Sequence, residues 1–265
     1  MNPIERRQQN VLVFLQVTAA TKDFLTAAEI VRGEATQLSL ASLGPIWLHA
    51  HAMCDTLRPR EDGQIMWNLP ALASSARTML ECFIGLAHLT QAKTASEEEL
   101  RALLWHRQTE FKVADILRGG AKSDPQSGEI AARLMERVAE IEKKIKQCAA
   151  FSELDGQTRH RILNSREQYL TSPPIDVWER EGLRRDAYHY SWRALSQWAH
   201  VTPLALFLQA GFVDDQKSLV TYTNDALDVA FTSLTRVLTL TVRRTPELNP
   251  ASGRVAAIIP QFAFM

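Results

Sequence analysis

The sequence predicts an all-α protein, a multi-helix bundle with a protruding polar helical arm. Apolar residues recur at three- and four-residue spacing through most of the 265 positions, the period of a helix with one buried face. Glycine and proline number only 11 each and gather at joints between the periodic runs. Strict alternation of apolar and polar residues, the mark of a half-buried strand, is missing; Val242 to Ile259 is the one weak candidate. An apolar share of 46% and a charged share of 23% are ordinary for a globular chain, and its length suffices for a real core. The reading is one helical domain over residues 1–265.

The first helix is predicted from Pro3 to Val31. Its start, MNPIERRQQNVLVFLQVTAATKD, imitates a secretion signal, but Gln16 breaks the apolar centre and the helical spacing continues through Phe24, Leu25 and Ile30. A second helix is predicted from Leu38 to Leu57, kinked or split at Gly44–Pro45. Beyond the loop Arg58 to Gln64, Asn68 and Pro70 open a third helix that runs to Ala92. Ser96 with Glu99 reads as a capping box for a fourth helix, which Gly119–Gly120 stops. KSDPQSG reads as a linker. Residues 128–149 form a very polar helix, with Glu140–Lys144 and Glu142–Lys146 at ion-pairing spacing. With its flanks (121–150) this is the arm, expected to meet a protein partner. A short helix and a loop lead to Pro174. A helix from Arg184 to Ala199 and a long one from Asp215 to Arg243 follow. The proline-rich tail, 245–265, is expected to be irregular.

Formal net charge is zero, so no global field draws the chain to nucleic acid or an anionic membrane. The candidate patch for RNA is local: Arg159, His160, Arg161 and Arg166 with Arg180, Arg184 and Arg185, and Tyr169 and Trp178 nearby for stacking. Glu167, Glu179 and Glu181 interrupt it. Three widely spaced cysteines, Cys54, Cys82 and Cys148, with no CxxC, fit a reducing, cytoplasmic setting. No membrane partner is expected: the closest approach to a spanning segment, 71–90, is interrupted by Arg77 and Glu81.

Those two charges pose the main question. ALASSARTMLECFIGLAHLT is apolar almost all round, which places Arg77 and Glu81 in or beside the core. Either they form a buried ion pair that fixes helix register, or they line a polar cleft. DAYHYSWRALSQWAHVTP has the same design. Tyr188, Trp192, Leu195 and Ala199 make a core stripe, with His189, Arg193, Ser196 and His200 on its flank. His51, Cys54 and Asp55 share a helix face, with His88 as a distant fourth ligand, and read as helix packing; no metal or cofactor is expected. Neither a phosphate-cradling glycine loop nor G-x-S-x-G occurs.

ARTMLE (76–81), followed by YSWRALSQWAH (190–200), resembles an uncharacterised family of bacterial all-helical proteins, a domain of unknown function. It is similar to the HEPN helical bundles of prokaryotic defence and toxin–antitoxin systems. The resemblance implies a homo-oligomer that cuts RNA without metal through an Arg-x(4–6)-His motif. On this chain it assigns catalysis to Arg193, Ser196 and His200, and the polar cleft to Arg77, Glu81 and Tyr190. Ala194 stands where that motif places a polar residue. In that role a histidine shuttles the ribose proton and an arginine holds the phosphate. The residues alone support another reading, a non-catalytic helical interaction module with a structural polar network. Catalysis predicts an open cleft; the module predicts sealed pairs.

Overall fold

The computed structural model describes residues 3–30, 34–57, 68–120, 124–164, 171–199 and 216–261. Among them every regular element is helical, as the periodicity predicts. They divide into two compact units, residues 1–87 with 178–265, and residues 88–177.

The first unit is built on three long helices packed against one another: α1 (Pro3–Ile30), α2 (Glu34–Leu57) and α10 (Gln216–Arg244). Their core includes Phe14, Phe24, Ile46, Met53 and Phe231, all essentially inaccessible. Thr21 and Thr241 enter this core with the hydroxyl turned back on its own helix: Thr21 donates to the Val17 carbonyl and Thr241 to that of Val237, both at 2.8 Å. Trp47 donates to the Thr18 carbonyl and fixes α2 on α1. Pro45 lies inside α2, and of the two expected outcomes, a kink or a split, the split does not occur: the helix runs continuously from Glu34 to Leu57. The closest approach to a spanning helix is not 71–90, as expected, but Glu5–Ala28, which by length and composition alone is long and apolar enough to cross a membrane. Its Val13, Phe14, Val17, Ala20 and Phe24 are buried.

α3 (Leu69–Thr90) supplies Leu72, Ala76, Met79 and Phe83 to the core of this unit. α9 (Arg185–Ala199) buries Tyr188, Leu195 and Trp198, and Trp198 meets Tyr222 of α10 edge-on at 5.4 Å. The described part of the tail, through Gln261, is helical and not irregular, and the strand candidate at 242–259 is helical as well. Pro246 opens a 3-10 turn (Pro246–Leu248) and Pro250 sits in the first turn of α11 (Asn249–Ile258), where a missing N–H is harmless.

The second unit is an antiparallel hairpin of α4 (Ala95–Gly120) and α5 (Pro125–Gln147), closed by α6 (Ala149–Glu153) and α7 (Gly156–Asn164). α8 (Pro174–Arg180) spans the boundary between the units. The polar helix buries Ala131, Val138 and Ile145, one residue every seven, against a stripe on α4 that includes Leu100, Leu104, Arg107 and Ala114. Asp124 caps α5 and Pro125 starts it, so the expected linker is largely a helix entrance. The capping residue of α4 is Thr94, which accepts from the Glu97 N–H, while Glu97 accepts from the Lys93 N–H. Ser96, expected to cap, instead accepts from the Ala150 N–H and ties α6 to α4. Among the described residues neither Lys144 nor Lys146 makes the expected ion pair, whereas Arg137 pairs with Glu110 and Arg133 with Glu129.

Candidate functional site

The residues singled out by sequence meet where α9 lies on α3, within the first unit. Arg77 and Glu81 are one turn apart and pair directly, Nε to Oε1 at 3.1 Å. The same guanidinium donates through Nη1 to Ser196 Oγ at 2.6 Å, a contact across 119 residues of sequence. Its carbon lies 4.6 Å from the Trp192 ring centroid, a cation–π contact. Ser196 donates its own proton to the Trp192 carbonyl at 2.5 Å. Arg77 is therefore gripped by a carboxylate, a hydroxyl and an indole face.

Burial is partial. The Arg77 side chain is 21% exposed and Glu81 is 48% exposed. Of the two expected positions, in or beside the core, Glu81 takes the second and shares an exposed stripe of α3 with Ser74. A carboxylate at that depth keeps most of its hydration, which is why the sequence tolerates it on an otherwise apolar helix.

Tyr188, not Tyr190, stands beside the pair. Its phenol is pushed up to about 12, chiefly by burial and then by the Glu81 charge, with Arg77 opposing. It stacks on Trp192 at 5.7 Å and meets Trp178 at 5.8 Å, which in turn meets Phe83 at 5.9 Å. Cys82 is half-buried, and its thiol is pushed up to about 11 by burial and by Glu81, so it is a poor nucleophile at neutral pH.

Tyr190 leaves the seam for α10. It is 52% exposed, and its hydroxyl donates to Asp225 Oδ2 at 2.7 Å. One turn along, Arg6 Nη2 donates to both carboxylate oxygens of Asp228, at 2.7 and 2.9 Å. This second polar group was missed from sequence. Its signal was the one that flagged Arg77, charges inside an apolar helix: TNDALDVAF holds Asp225 and Asp228 three residues apart.

Arg193 is exposed and outside the set around Arg77, while His200 lies outside the described residues. Of the basic patch, Arg184 pairs with Asp186 and Arg185 with Glu179, Arg159 and Arg161 are exposed, and Arg166 and Tyr169 lie outside the described residues. His51 pairs with Asp55 at 3.2 Å, and among the described residues no group of three potential ligands can hold a metal ion. Comparison with protein-family models, with curated proteins and with solved structures returns no match.

Proposed function

We propose that this chain is a non-catalytic helical interaction module and that the Arg77 seam is a clamp holding α9 on α3. The observation that supports it is the threefold engagement of Arg77 with Glu81, Ser196 and Trp192. A phosphate-binding arginine needs an open N–H edge, and a nucleophilic serine needs its proton on a base. Here the guanidinium is engaged internally and the Ser196 proton points into its own helix. On this reading the charged outer face of α5 is what a protein partner meets, since its apolar stripe is consumed by α4.

A second reading, a HEPN-like RNA-directed protein of a defence or toxin–antitoxin type, is favoured by one feature. Arg77, Glu81 and Ser196 converge from distant segments at a half-exposed surface, and His200 follows Ser196 by four residues. There His200 takes the ribose 2′-OH proton and Arg193 holds the phosphate. Total RNA incubated with the full chain in EDTA separates the two. The module reading expects intact RNA from wild type and His200→Ala alike, and a less stable Arg77→Met variant. Cleavage by wild type, lost in a folded His200→Ala protein, would overturn it.

A further inference from the structure

The Asp225 carboxyl lies where α9 and α1 approach α10. The residue is 8% exposed. Oδ2 accepts from Tyr190, whereas Oδ1 is buried with no hydrogen-bond partner. Buried carboxylate oxygens are seldom left so, because an ionised oxygen out of water without a donor is costly. The Arg6 guanidinium of α1 acts on Asp225 through space and donates to Asp228, and Oδ1 stays without a hydrogen bond beside it.

We propose that Asp225 is a proton-operated latch on α9: protonated, it seats α9 through Tyr190; ionised, it drives the helix to lift and admit water. A proton is the ligand that fits, because Oδ1 is inaccessible to anything larger and needs only to become a donor or lose its charge. The groups acting on Asp225 are Tyr190 of α9 and, through space, Arg6 of α1; Asp228 and Tyr222 share its own helix. Among the described residues, α2, the Pro246–Leu248 turn and α11 also pack on α10, and no group of theirs is among those that shift Asp225.

The direction agrees. Burial raises the Asp225 carboxyl above its ordinary 3.8, and the Tyr190 hydrogen bond and Arg6 oppose without reversing this. A carboxyl raised on folding gives stability that is fully present below the unfolded value and lost as pH rises through the folded one. α9 is thus held most firmly in acid. The device is independent of the Arg77 clamp, which lies on the other contact of the same helix.

Hydrogen exchange of the full chain tests it, with amides of α9 followed from about pH 4 to about pH 7 and corrected for intrinsic rates. Wild type should lose protection across α9 by about tenfold or more over that range. Asp225→Asn, which keeps the acceptor for Tyr190 and cannot ionise, should hold flat. Equal pH dependence in both proteins would overturn the proposal. If Asp225→Asn does not fold, the carboxyl carbon resonance of Asp225 in the wild type decides. A midpoint well above 3.8 sustains the latch, and one at or below 3.8 sinks it.

Discussion

Arg77 and Arg107 both stand at helix–helix seams, one in each compact unit, at opposite depths. Arg107 is completely buried within the apolar stripe of α4 and donates through Nη1 to the Ile162 carbonyl of α7 at 2.8 Å. Arg77 is partly exposed and has a carboxylate, a hydroxyl and an aromatic face. Depth accounts for the difference in consequence. At the half-wet seam, screening reduces both the cost of the charges and the value of their attraction. In the dry one the cation carries a desolvation cost that its partners must offset, so removing the arrangement piecemeal is expensive.

The strongest way to break the comparison is Arg107→Ala. It removes the tie to α7 and leaves a cavity in the hairpin, and we expect a loss of about 3–5 kcal/mol in urea unfolding. Arg107→Met sharpens it. The apolar stem is preserved without the charge, and the cost should fall to about 1 kcal/mol or vanish. A Met variant as unstable as the Ala variant would show that the polar contacts of the guanidinium, the Ile162 hydrogen bond among them, outweigh packing.

Smaller effects belong to the first unit. Arg6→Ala leaves Asp228 without its bidentate partner and should cost about 1.5–3 kcal/mol by the same measurement. Arg77→Lys keeps the charge but loses the planar fork that spans Glu81 and Ser196. About 1 kcal/mol is expected, with little change if Lys restores both contacts. Alkaline pH gives the smallest effect. Cys82 is raised from 9.0 to about 11 and Tyr188 from 10.0 to about 12. Both therefore contribute stability that is intact below about pH 9 and declines as pH climbs through those folded values. The unfolding midpoint of wild type should be level up to about pH 9 and then fall, and Cys82→Ala should delay the onset toward the tyrosine range. Iodoacetamide should modify Cys82 slowly at neutral pH, and fast labelling would contradict the burial assigned to it.

The helices and their order were legible because helical periodicity is a local signal. Most helix limits fall within a few residues of expectation; α5 begins at Pro125, earlier than expected, because Asp124 makes the linker its cap. The α4 cap was misplaced by two residues because Thr94 and Ser96 are equally good caps on paper; the docking of α6 recruits Ser96 for another task. Arg77, Glu81 and Ser196 were legible as oddities on apolar helices. The placement of Tyr190 with Asp225 was not, because the choice between α3 and α10 depends on how α9 is rotated against both.

By itself, then, the amino-acid order determined the all-α class, the run of helices and which side chains are chemically out of place in them. Only the tertiary structure decided which of those side chains are partners and how wet they are. Arg77 meets Ser196 across 119 residues, Arg107 reaches Ile162 across 55, and Asp225 keeps one oxygen that nothing reaches. Periodicity acts over one helical turn, whereas hydration and pairing of a charge depend on every helix that closes around it.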